Sequence, residues 1–176
     1  MKQLIALISF FAISILTAYA QYPGMDLYVK DLHGVSKPSK SYLDKKEGNV
    51  TLFVFWKTCC PTNLSMIDSL IELKDDGEYS DKIKIVLVSV DDTKTSNRVL
   101  PVVKTKGWTE DVIMDSNMEL ARAMQVYIPP QWVAVDCDGN PIYRRKIMEG
   151  ESDSEYYFNE LIEQYFVKNL DMKDML

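Results

Sequence analysis

The sequence predicts an α/β domain built on a mixed β-sheet covered by helices on both faces. Three observations carry this. Val50–Trp56 (VTLFVFW) is a continuous apolar, β-branched and aromatic run, as expected for a strand buried on both faces. Lys82–Val90 (KIKIVLVSV) is a second core strand. Between them Leu64, Ile67, Leu70 and Ile71 recur at helical spacing, giving one apolar stripe. A helix joining two core strands implies a right-handed crossover.

The other elements follow in chain order. Residues 27–35 (LYVKDLHGV) read as a short strand running into a turn at Gly34. The helix after the first core strand starts at Pro61, because proline suits the first helical turn. The second core strand ends in Asp91-Asp92, and Thr93–Lys106 reads as a helix interrupted or bent at Pro101. Val112–Met114 makes a short strand and Met118–Met124 a short helix. Trp132–Val135 and Ile142–Met148 flank Asp136-Cys137-Asp138-Gly139-Asn140, a hairpin signal. Ser154–Val167 closes the domain as an amphipathic helix with Tyr157, Phe158, Leu161, Ile162 and Phe166 inward.

Composition narrows the function classes. The chain has 176 residues, 47% of them apolar and 26% charged, which fits one globular domain and not a disordered chain. Its net charge of -6 argues against a nucleic-acid binder, which needs a basic surface to displace counterions. One histidine and three cysteines are too few for most multi-histidine metal sites or for a disulfide scaffold. No cofactor and no metal are expected. His33 reads as a plain turn residue.

The N-terminus reads as an export signal. Met1-Lys2-Gln3 is a short positive start, Leu4 to Thr17 is apolar, and Ala18-Tyr19-Ala20 is a small-x-small cleavage pattern. Residues 1–20 are thus a signal peptide cleaved before Gln21, followed by a domain over 21–170 and a tail over 171–176. An uncleaved anchor is the alternative, although the apolar run is short of the roughly 20 residues a span needs. No later run reaches spanning length, so the mature chain is expected in the periplasm or outside the cell. Thiols can be oxidised there.

The informative stretch is Phe53-Val54-Phe55-Trp56-Lys57-Thr58-Cys59-Cys60-Pro61-Thr62-Asn63. A buried strand delivers Cys60 to the first turn of a helix. There the backbone N–H groups and the helix dipole favour an anion, which makes Cys60 a candidate nucleophile. The bland alternative is a buried, inert cysteine. Trp56, Trp108 and Trp132 read first as packing residues, with Trp56 and Trp132 able to line the surface near the cysteine.

This stretch resembles the thioredoxin-like superfamily, and specifically its exported TlpA-like branch. The signature of that branch is Trp-x-x-Trp-Cys-x-x-Cys, often with proline after the first cysteine. Trp56 matches the first tryptophan, Cys59 replaces the second, and Cys60-Pro61 match the nucleophile and its proline. Leu27–Gly34 resembles the family's N-terminal hairpin, and Val86–Asp92 its strand ending in paired acids. Val126-Tyr127-Ile128-Pro129-Pro130 resembles the segment carrying its cis-proline. The resemblance implies a thioredoxin fold, a cis bond before Pro130, and substrate positioning by Ile128, Pro129, Pro130, Trp56 and Pro61. A plain trans Pro-Pro turn is the alternative. The implied partners are protein or small-molecule thiols and disulfides.

The pattern also breaks. Asn63 stands where the resolving cysteine belongs, and Asn63 cannot attack a mixed disulfide. Two positions where relatives place a buried acid are Val54 and Met66, and Asp68 further along the helix is expected to face solvent. Cys59 is a possible redox partner, but a disulfide between adjacent cysteines distorts the peptide between them. Cys137 lies about 15 Å away at the other end of a strand, too far to pair with Cys60. A peroxiredoxin-like site would need a threonine and a proline where Lys57 and Phe53 stand. Two readings remain: thiol–disulfide exchange through the single nucleophile Cys60, or a thioredoxin-fold interaction module without redox turnover. Peroxide reduction is a minor third.

Overall fold

The computed structural model describes residues 23–148 and 151–167. The expected leader and tail lie outside the described residues. Seven strands form one sheet in the order β2-β1-β5-β4-β3-β6-β7. They are β1 (Tyr28–Asp31), β2 (Ser36–Pro38), β3 (Val50–Trp56), β4 (Ile83–Ser89), β5 (Asp111–Met114), β6 (Gln131–Val135) and β7 (Pro141–Lys146). The central strands β3, β4 and β5 run parallel. The outer strands pair antiparallel: β6 on β3, β7 on β6, and the β1–β2 hairpin on β5.

Side-chain alternation along β3 sorts the core into two layers. Val50, Leu52, Val54 and Trp56 face helices α1 (Pro61–Asp76) and α4 (Ser154–Ile162), meeting Met66, Ile67, Leu70, Phe158 and Leu161. Phe53 and Phe55 face the other side, where they join Val86, Val88 and Val133 under helix α3 (Glu119–Ala123), with Leu120, Ala121 and Met124. Every residue of β3 is buried, which is why its sequence shows no polar alternation.

Two expected helices differ in detail. The segment after Asp92 is a short 3-10 turn, Ser96–Arg98, leading into α2 (Val99–Lys106). Pro101 sits in the first turn of α2, where no intrahelical N–H bond is lost, so it does not bend the helix. Gly107 ends α2 at φ 72°, a left-handed conformation that glycine adopts at little cost. The closing helix stops at Ile162 and continues as a π-helical turn over Glu163–Val167, which still buries Phe166. Its start is fixed by Asp153, whose carboxylate accepts the Tyr156 amide at 2.9 Å. The Ser154 hydroxyl donates to the Met66 carbonyl at 3.0 Å, tying α4 to α1.

Candidate active site

The site is built where β3 ends. Phe55 pairs with Gln131 in the β3–β6 ladder, so the turn Lys57–Cys60 leaves β3 beside the Pro129-Pro130 segment that enters β6. The Pro129–Pro130 peptide is cis, as the resemblance implied, and not a plain trans turn. The Pro130 carbonyl accepts the Ile147 amide at 3.2 Å, which fastens this corner to the end of β7. Next to it Tyr127 and Ile128 are 69% and 62% exposed, a small apolar rim on the same end of the sheet.

Cys60 is the N-cap residue of α1, with extended backbone (φ -115°, ψ 101°) and a half-exposed side chain. Pro61 takes the first helical position and is exposed. The cap is made by the main chain: the amides of Asn63 and Leu64 donate to the Cys60 carbonyl at 3.1 and 3.3 Å. The sulfur itself receives no capping hydrogen bond. What the helix start offers the thiol is therefore its dipole, not a direct N–H contact.

Cys59, one residue earlier, is exposed, and its thiol is free like those of Cys60 and Cys137. Asn63, at the position of the family's second cysteine, is buried, with 7% exposure. Cys137 lies in the β6–β7 turn at the opposite end of the sheet. Its carbonyl accepts from Lys45 Nζ at 3.2 Å. Burial, and then the carboxylates of Asp138 and Asp136, push the Cys137 thiol above its ordinary range.

Two expectations need correction. Trp56 does not line the surface: it is fully buried, because its alternation along β3 turns it under α1 and edge-on to Trp108 at 5.3 Å between ring centroids. Trp132 is equally enclosed, against Tyr157. Asp68 is not a plain solvent-facing residue. Its carboxylate accepts from Trp108 Nε1 at 2.8 Å and from Lys106 Nζ at 2.6 Å, joining α1 to the end of α2.

The structure also supplies an acid that sequence reasoning missed. Neither Val54 nor Met66 offers a carboxylate, yet Asp91 does, from the loop after β4. It is 2% exposed and accepts from the Thr58 amide at 2.9 Å, the Thr58 hydroxyl at 2.6 Å and the Ser89 hydroxyl at 3.0 Å. The signal was available in the strand register. Trp56 pairs with Ser89 in the parallel β3–β4 ladder, so the residues two beyond each, Thr58 and Asp91, come side by side.

A second buried acid, Asp115, follows β5 and accepts the amides of Leu120 and Ala121 at the start of α3. Burial raises its carboxyl above the usual range. Among the described residues no group of three or more histidine, cysteine or acidic side chains is placed to hold a metal ion.

The fold that these elements form is thioredoxin-like. No family model and no curated protein matches the chain. The likeness is to solved structures. A thioredoxin-like protein from Porphyromonas gingivalis superposes with a TM-score of 0.64 at 22% identity, over 83% of this chain and 94% of that one. A secreted Mycobacterium tuberculosis disulfide oxidoreductase homologous to E. coli DsbE superposes with a TM-score of 0.62 at 13% identity, over 78% and 95%. A mutant of Xanthomonas campestris peroxiredoxin Q does so with a TM-score of 0.61 at 16% identity, over 78% and 90%. At these identities the likeness establishes the architecture, and the chemistry has to be argued from this chain's own residues.

Proposed function

We propose that the protein carries out thiol–disulfide exchange through Cys60 alone, with the resolving thiol supplied by another molecule. The observation that carries this is the placement of Cys60. It is the one cysteine that combines a helix start, partial exposure and the neighbourhood of Pro129-Pro130. Cys59 lacks the helix position, and burial together with the nearby Asp138 and Asp136 disfavours the Cys137 thiolate.

The exchange proceeds in two balanced steps. The Cys60 thiolate attacks one sulfur of a disulfide, whose S–S bond breaks as the Cys60 mixed disulfide forms. The other sulfur leaves as a thiolate and takes a proton from solvent. An external thiolate then attacks the substrate sulfur of the mixed disulfide, releasing Cys60 and carrying away the oxidised product. The α1 dipole favours the negative sulfur in both steps. Ile128, Pro129 and Pro130 form the wall against which the substrate lies, and Pro61 shapes the helix start. Trp56 packs on Trp108 in the core beneath α1 and does not reach the substrate.

Export belongs to the same reading: residues 1–20 carry the signal pattern, and the mature chain works where disulfides persist. Among the described residues no helix is long and apolar enough to cross a membrane.

One observation favours a second reading, an interaction module without turnover: the resolving position holds a buried asparagine. The peroxiredoxin-like reading has no comparable support, since Lys57 and Phe53 occupy the positions its threonine and proline would need and Phe53 is a core strand residue. The test is to present the reduced protein with an excess of a small disulfide reagent. The thiol-exchange reading expects a fast phase of thiol release that disappears in Cys60→Ser, leaving only the slow background of Cys59 and Cys137. Unchanged release in Cys60→Ser would reject it.

A further inference from the structure

We infer that Asp91 is a positioning residue that sets which of two adjacent thiols stands at the head of α1. By pinning Thr58, it holds Cys60 in the reacting place and turns Cys59 outward. The inference rests on the proposed role of Cys60 but concerns a different property, the register of the turn that carries it.

The turn from Trp56 to Pro61 has few fixed points. The Trp56 carbonyl accepts the Val90 amide at 3.0 Å, and the Cys60 carbonyl accepts the first two amides that reach it from α1. Between these lies Thr58, which Asp91 grips twice, by the main-chain amide and by the side-chain hydroxyl. Two bonds to one residue, one of them to its backbone, fix both position and orientation. Only Lys57 and Cys59 lie between fixed residues.

Cys59 lies in the turn and is exposed, whereas Cys60 has extended backbone and is partly buried at the head of α1. A slip of one residue in this turn would therefore exchange the surroundings of Cys59 and Cys60. The two thiols are chemically identical, so apart from Pro61, which favours the first helical position, nothing in the side chains themselves selects one register. Asp91 can resist that slip because it is itself held. The Ser89 hydroxyl donates to its second oxygen, its own amide donates to Ser89 Oγ at 3.3 Å, and the Ser89 carbonyl accepts the Asp115 amide at 2.8 Å. The clamp is thus anchored to the ends of β4 and β5 and not to the surface. A carboxylate buried so completely is costly unless its hydrogen bonds are made, and two of the three bonds that satisfy it run to the cysteine turn.

The experiment is partial alkylation of the full reduced protein with iodoacetamide at fixed pH, followed by peptide mass spectrometry. The readout is the ratio of initial rates at Cys60 and Cys59. Iodoacetamide reacts with any accessible thiol, so this ratio is defined whether or not the protein exchanges disulfides. Loss of disulfide-reagent turnover in the wild type would reject the redox reading while leaving the clamp to be judged here.

Thr58→Val keeps the Asp91 charge and removes the hydroxyl bond. Asp91→Asn keeps the shape and sets an amide group against the Thr58 donors. Both are expected to change the ratio by about tenfold, with Thr58→Ser returning it to the wild-type value. Thermal unfolding midpoints establish that each variant is folded, and Thr58→Val, at a half-exposed residue, covers the case in which Asp91→Asn fails to fold. A folded Thr58→Val with the wild-type ratio overturns the inference. So does a change seen in Asp91→Asn but absent from Thr58→Val, which would mark Asp91 as a distant charge and not as a clamp.

Discussion

Phe55 and Gln131 face each other across the antiparallel β3–β6 ladder, and this pairing brings the cysteine turn and the cis-proline corner to one end of the sheet. The exposed Ile128 belongs to that corner. Ile128→Asp is expected to slow exchange with a peptide disulfide flanked by apolar residues by roughly tenfold, through lost apolar contact. Exchange with a small disulfide reagent should stay nearly unchanged. Comparing the two rates in wild type and variant checks this. An equal loss with both reagents would count against a substrate-positioning role.

Cys59→Ser and Cys60→Ser should part company sharply. Removing Cys60 is expected to reduce exchange on the order of 100-fold or more, to the background of the remaining thiols, because the nucleophile itself is gone. Removing Cys59 should leave the rate within a few-fold of wild type. Stopped-flow release of a chromophoric thiol measures both. A loss in Cys59→Ser as deep as that in Cys60→Ser would mean that the adjacent pair works as a unit.

Cys137 is expected to be the slow thiol near neutral pH. Burial and the neighbouring Asp138 and Asp136 disfavour its thiolate, so its reactive fraction develops only at higher pH than for an ordinary cysteine. Asp138→Asn removes one of the two carboxylates and should shift the Cys137 alkylation profile towards lower pH. Alkylation followed by mass spectrometry between pH 7 and 10 reads it out. A profile unmoved by the substitution would remove Asp138 from the causes and leave burial and Asp136.

Asp68 should matter more through Trp108 than through Lys106. Asp68→Ala strips the acceptor from a largely buried indole N–H, a loss of about 1–3 kcal/mol. Lys106→Ala breaks only a partly exposed ion pair and should cost at most about 1 kcal/mol. Urea unfolding of the two variants compares these costs directly. Equal losses would place the weight on the ion pair.

Much of this architecture can be read from the sequence, for identifiable reasons. β3, and β4 from Ile85 to Val88, are apolar runs because both of their faces are covered, and such runs are hard to mistake. Cys60-Pro61 after a buried strand marks a helix start because proline at the first position is a local signal. Local signals mislead where a partner from another element decides. Pro101 reads as a helix breaker until its place in the first turn of α2 is known. Asp68 reads as a surface acid until Trp108, 40 residues on, is seen to donate to it.

Trp56 follows the same rule. Next to an exposed cysteine turn, an aromatic residue can face solvent or core, and only the pairing of β3 with its neighbours turns it inward. Asp91 and Thr58 are 33 residues apart, and no periodicity links them. They meet because the parallel ladder sets Trp56 opposite Ser89.

The central claim, that Cys60 is the working thiol, is tested most directly by trapping the first step. Reduced protein is mixed with a stoichiometric peptide disulfide and quenched in acid, and the adduct is located by mass spectrometry. The account predicts a mixed disulfide carried on Cys60, dispersed by added external thiol. An adduct confined to Cys59 or Cys137, or none at all while the peptide remains oxidised, would contradict it.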